Sequence, residues 1–165
     1  MKKLISLVLV LAISFAMAVP AFASKKDINN LSITPPSTKP EITIDGASKP
    51  GSNASIHDLS ISDYNYQVED VGYQVFTDKW LKGASSIAIS VDDWTLLEYY
   101  GGTSDQLTIT VYNQSGQVSS KTISISGSSG SCTFSGLSSS TKYYIGFRVP
   151  KNSNRYSFDG SISAN

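Results

Sequence analysis

The sequence predicts an all-β protein, a single antiparallel β-sandwich of jelly-roll or immunoglobulin/fibronectin-like type with eight or nine short strands. Three observations carry that expectation. From Ala54 almost to the last residue, apolar side chains recur at alternate positions, the period of a strand that buries one face. Clusters of Gly, Ser and Asn interrupt the alternation roughly every ten residues, the turn spacing of a sandwich. Each alternating segment keeps its opposite face polar, as antiparallel sheets with one solvated side do.

Taken in order, the first element is not part of the fold. Lys2 and Lys3 precede an apolar run from Leu4 to Val19, and Ala21-Phe22-Ala23 forms an A-x-A triplet. Together these read as a secretory signal peptide over residues 1–23, cleaved before Ser24. The run is shorter than the roughly 20 residues of a membrane span. With no Cys at its end to take lipid and no apolar tail after Ile162, the product is expected to be secreted, extracellular and unanchored. Loss of Lys2 and Lys3 leaves 11 basic against 13 acidic residues, a formal charge of −2, so long-range attraction to polyanions is not expected.

Residues 24–52 are polar and broken by Pro35, Pro36, Pro40 and Pro50, the composition of an extended strap or linker. Within them Glu41 to Asp45 alternates and could add an edge strand before the Asp45-Gly46 turn. The sandwich domain is assigned to residues 53–165.

Its strands begin with Ile56 to Ile61, followed by Val71, Tyr73 and Val75 on one face, then Ile87, Ile89 and Val91. Leu107, Ile109 and Val111 alternate with threonines, and the turn Asn113 to Gly116 leads into a partner strand, Val118 to Ile125, to make a hairpin. A Gly127 to Gly130 turn precedes Cys132 and Phe134. Tyr143, Ile145, Phe147 and Val149 give one inward stripe; Tyr156, Phe158, Gly160 and Ile162 give the last. Residues 92–105 break the pattern and are expected to form a helical turn capped by an aspartate, or a long loop closed by Gly101-Gly102.

The 165 residues carry 13 Lys+Arg against 13 Asp+Glu, one His and one Cys, with 40% hydrophobic and 16% charged residues. That supplies one domain with a core. A lone Cys132 excludes an intrachain disulfide scaffold, and the charge balance, without a basic run, argues against nucleic acid as partner.

The segment Phe134-Ser135-Gly136-Leu137-Ser138-Ser139-Ser140-Thr141-Lys142-Tyr143-Tyr144-Ile145 resembles the corner where a Gly-Leu turn feeds an aromatic strand in fibronectin type III domains. Together with Tyr156-Ser157-Phe158, it also resembles the closing strands of the pre-peptidase C-terminal domain family, small secreted bacterial β-sandwiches. The resemblance covers only the C-terminal third and implies a non-catalytic accessory or binding module, with no catalytic residue to carry over.

No motif names a reaction. Thiol catalysis would need Cys132 and His57, but Cys132 alternates with Phe134 as a small core residue does, and His57 falls on a surface strand. A small glycan-acting enzyme would need two carboxylates about 5–10 Å apart, and spacing fixes no such pair; the chain is expected not to be an enzyme. Asp92, Asp93 and Glu98 cluster with Trp94, Tyr99 and Tyr100. Aromatics that stack on sugar rings and carboxylates that accept hydroxyl hydrogen bonds suit carbohydrate or cell-surface recognition. These six are the candidate ligand-binding residues. Tyr64 and Tyr66 offer a second stripe at strand spacing, unless that stripe faces the core.

The same carboxylates together with Asp105 could offer oxygens to calcium, but they match no EF-hand loop, and no cofactor or metal is expected. The expected partner is an extracellular glycan or protein. The alternative is a membrane-active or self-associating β protein: Leu107 to Ile125 is an amphipathic hairpin, yet its arms fall short of the roughly 9–11 residues of a spanning strand. Self-association would use an open sheet edge.

Overall fold

A computed structural model describes residues 28–31 and 48–165, which hold eleven strands and no helix. The strands are β1 (Ile28–Asn30), β2 (Ile56–Asp58), β3 (Tyr64–Val71), β4 (Gln74–Phe76), β5 (Trp80–Lys82) and β6 (Ser86–Glu98). They continue with β7 (Gln106–Asn113), β8 (Gly116–Ser124), β9 (Gly130–Ser135), β10 (Tyr144–Arg148) and β11 (Arg155–Ala164). One sheet has the order β1-β3-β11-β6-β9, the other β4-β10-β7-β8, and β2 pairs with β5 separately. The predicted all-β sandwich is the observed architecture; strands beyond the expected eight or nine come from three-residue pieces such as β1 and β4.

Alternation builds the core directly. Leu107, Ile109 and Val111 of β7 and Ile145 and Phe147 of β10 are fully buried on the inner face of the four-stranded sheet. Opposite them, the larger sheet contributes Tyr66, Val68, Ile89, Val91, Tyr156, Phe158 and Ile162. The layers meet through rings: Phe147 lies 4.7 Å from Tyr66 and 5.9 Å from Phe158, centroid to centroid. Each such ring stabilises by about 1.5–3 kcal/mol through burial alone. Tyr64 and Tyr66 are therefore core residues and not a surface stripe.

The hairpin forms as expected, with Asn113 opposite Gly116 and the Ser115 amide donating to Asn113 Oδ1 at 2.8 Å. Tyr143 packs into the core and its hydroxyl accepts the Ser138 amide proton at 2.9 Å, pinning the turn to the strand that follows it.

Three expectations are corrected. Val71 and Val75 do not share a strand: Val71 ends β3, the chain bends at Gly72-Tyr73, and Val75 lies in β4 of the other sheet. Both still face inward, because the bend lets the chain cross between layers. The sheets are not wholly antiparallel, since β1 runs parallel to β3 and β2 parallel to β5. Lastly, residues 92–98 form neither a helical turn nor a loop; they continue β6.

β6 continues because bulges absorb the break in pattern. Asp92 lies opposite Asp159 and Thr95 opposite Ser157, so Asp93 and Trp94 together face the single residue Phe158. An extra residue shifts the inward phase by one, from Ile87, Ile89 and Val91 to Trp94. Asp93 takes φ 52° there, a left-handed conformation that aspartate tolerates better than most residues. A second irregularity, at Leu97, lies opposite the step from Tyr156 to Arg155.

The signal peptide expected over residues 1–23, the edge strand expected at Glu41 to Asp45, and most of the strap expected over 24–52 lie outside the described residues. Of residues 24–52, Ile28–Asn30 form β1 of the larger sheet. The Leu31 amide bonds to the Gln67 carbonyl at 2.6 Å and its side chain is fully buried.

Candidate functional site

Where β6 ends, four large apolar side chains stand in solvent within five positions: Leu96, Leu97, Tyr99 and Tyr100. Tyr99 is 63% and Tyr100 55% exposed. Clustered exposure of this kind marks interaction surfaces more often than isolated exposed residues do.

The loop that follows, residues 99–105, is tied down at nearly every step. Asn154, fully buried, accepts the Tyr100 amide on Oδ1 at 2.6 Å and donates Nδ2 to the Gly101 carbonyl at 3.2 Å. Asn152 Nδ2 donates to the Thr103 carbonyl at 2.6 Å, and the Tyr156 hydroxyl reaches the same oxygen at 3.4 Å. Trp94 Nε1 donates to the Ser104 carbonyl at 3.2 Å. Asn154 Nδ2 also donates to the Tyr156 hydroxyl at 3.1 Å, so these side chains form one network. Gly101 and Gly102, at φ 109° and 77°, supply the left-handed turn that brings the loop back.

Trp94 thus takes a different role from the one its sequence context suggests. It is 9% exposed, its ring stacked on Phe158 at 5.3 Å and tilted against Tyr156 at 4.8 Å. A ring covered on these sides cannot stack on a ligand; it holds the base of the loop. The bulge at Asp93 turned it inward.

Glu98 stays with the tyrosines, its Oε2 accepting the Tyr100 hydroxyl at 3.0 Å. That hydrogen bond, followed by the carboxylate's charge, raises the Tyr100 phenol above its ordinary pKa. Asp92 and Asp93 are exposed but stand apart. The six steps of strand from Asp92 to Glu98 span about 20 Å. Asp93 instead borders a shallow depression on the outer face of the larger sheet with Glu69 and Asp159. The six candidates therefore divide into Glu98, Tyr99 and Tyr100 at the loop, Asp92 and Asp93 on the sheet, and Trp94 in the core.

Among the described residues no group of three His, Cys, Asp or Glu side chains is placed to hold a metal ion. His57 bonds the Ser62 carbonyl through Nε2 at 2.8 Å and meets the edge of Tyr64. Cys132 is half-buried against the core, and burial pushes its thiol pKa up, away from the thiolate that nucleophilic chemistry needs.

Asn152, Asn154, Leu96 and Leu97 complete this arrangement without belonging to any motif in the sequence. The asparagines follow Pro150-Lys151 in what reads as an ordinary strand break, and their bonds to the loop span about 50 residues of chain. The leucines gave a signal, two adjacent apolar residues that strand alternation cannot bury together. The chain matches no protein-family model and no curated protein.

Proposed function

We propose that the protein is a secreted, non-catalytic binding module that recognises an extracellular glycan through Tyr99 and Tyr100, with Glu98 as polar partner. The observation that carries this reading is the pairing of exposed tyrosines with a loop whose backbone is held by Asn152, Asn154, Tyr156 and Trp94. Ordering a loop on binding costs affinity, and a loop ordered beforehand avoids that cost. Tyrosine suits the task, presenting a large flat ring with only two torsions to fix. Sugar rings offer apolar faces for such stacking and hydroxyls for the Glu98 carboxylate.

Leu96 and Leu97 favour a second reading, a protein partner, because aliphatic side chains gain from an apolar counterpart and little from a sugar. The two readings share one surface and differ in the occupant.

Co-sedimentation of the purified protein with insoluble cell-wall and plant polysaccharides, beside the double variant Tyr99→Ala/Tyr100→Ala, tests the glycan reading. Retention of the parent protein that the variant loses supports it. Absence of retention on every polymer removes it in favour of the protein partner.

A further inference from the structure

The outer face of the four-stranded sheet ends in a cleft of about 370 Å³ where β4 begins, β10 ends and β7 begins. Arg148 and Lys151 lie along it with Tyr73, Gln106 and Thr108, and its lining contains no carboxylate. Neither cation takes part in an ion pair among the described residues. In a chain of 13 basic and 13 acidic residues, Arg148 and Lys151 make this lining locally basic, which the net charge conceals.

The cleft adjoins the tyrosine loop by chain and by hydrogen bond. Gln106 follows the 99–105 loop directly, and Lys151 precedes Asn152, which holds the Thr103 carbonyl. In the other direction the cleft opens onto a sheet face suited to an extended ligand. Thr108 and Thr110 pair their hydroxyls with Thr122 and Ser120 at 2.9 and 2.8 Å. Beyond Arg148 on β10, Gly146 leaves a gap filled by the Phe76 ring, which approaches to 3.0 Å of where a Cβ would stand. Half-buried Tyr112 stacks on Tyr144 at 4.9 Å beside it. From Arg148 to Tyr144 the strand runs about 13 Å.

We infer that the glycan bound at this end of the sandwich is acidic, its carboxylate groups held by Arg148 and Lys151. The inference rests on the glycan reading above and adds the charge of the ligand. A guanidinium donates two parallel hydrogen bonds to a carboxylate, while Tyr73, Gln106 and Thr108 can serve the neighbouring hydroxyls. A protein without net positive charge gains little from long-range attraction, so the selectivity lies in these contacts at short range.

The test is titration of the protein with polygalacturonate and with its fully methyl-esterified form, which keeps the sugar ring and removes the charge. The parent protein is expected to bind the free acid about tenfold more tightly, the size of one charged hydrogen-bonded contact. Arg148→Gln/Lys151→Gln, confirmed folded by circular dichroism, is expected to lose that preference. Equal binding of both polymers, or a preference unchanged in the charge variant, overturns the inference. If both polymers bind equally and Tyr99→Ala/Tyr100→Ala abolishes binding, the acidic ligand is wrong while the glycan reading stands. If polygalacturonate is not bound at all, the acidic ligand is again wrong, and the neutral polysaccharides of the co-sedimentation panel decide the glycan reading separately.

Discussion

Asn154 Oδ1 accepts the backbone amide of Tyr100 at 2.6 Å, across 54 residues of chain, from a position with no solvent exposure. A buried asparagine that spends its side-chain amide on one loop fixes that loop in one conformation. The exposed Tyr99 and Tyr100 rings are then displayed on a rigid base.

Asn154→Ala leaves the Tyr100 amide and the Gly101 carbonyl without these partners. We expect a loss of about 1–3 kcal/mol in stability and faster hydrogen exchange at the Tyr100 amide than in the parent protein. Chemical denaturation and amide exchange measure the two effects; an unchanged exchange rate would show that the loop does not depend on Asn154.

Trp94→Ala removes a ring packed on Phe158 and Tyr156 together with the bond to the Ser104 carbonyl. The expected cost is about 3–5 kcal/mol in urea unfolding. Tyr99→Ala, at an exposed ring, is expected to stay within about 0.5 kcal/mol of the parent. Equal costs for the two would contradict the assignment of one to the core and the other to the surface.

Gly160 sits where a Cβ would run into the Ser90 carbonyl and lie 2.7 Å from the Tyr66 hydroxyl, which itself donates to that carbonyl at 2.6 Å. Gly160→Ala must displace the central pairing of β11 with β6. A loss of about 1–3 kcal/mol or more is expected, and a thermal melt matching the parent would refute the close approach.

Burial raises the Tyr66 phenol well above its ordinary pKa, with Asp92 and Asp159 adding to the effect. Burial also raises Tyr64, together with its hydrogen bond to Asp78. The unfolded chain ionises these phenols near pH 10, whereas the folded protein keeps their protons. Unfolding therefore releases protons above that pH, and the stability present below about pH 10 falls as pH rises further. Absorbance titration at the phenolate band should show Tyr64 and Tyr66 ionising only with unfolding, and early, reversible ionisation of every tyrosine would contradict it.

Much of the fold was legible because its signal is local. Leu107, Ile109 and Val111 alternate without interruption, and the strand, its inward face and its hairpin follow. Trp94 was misread because a single bulged residue, Asp93, reverses the phase, and nothing in the neighbouring sequence distinguishes a bulge from the end of a strand. Glu98, Tyr99 and Tyr100 stand out in composition as aromatics beside a carboxylate, and in the fold the two rings are exposed and Glu98 accepts the Tyr100 hydroxyl. The support beneath them was not found: Asn152 and Asn154 act on carbonyls about 50 residues away, and only the pairing of β11 with β6 brings those segments together. Arg148 and Lys151 were hidden by a balanced total charge.

The central claim is that Tyr99 and Tyr100 form the recognition surface on a preset loop. Affinity electrophoresis through gels containing soluble forms of the retained polysaccharide tests it most directly, with parent protein and Tyr99→Ala/Tyr100→Ala run side by side. The account predicts that the polymer slows the parent and leaves the double variant at its polymer-free mobility, with both equally stable in urea. Equal retardation of the two proteins would contradict it.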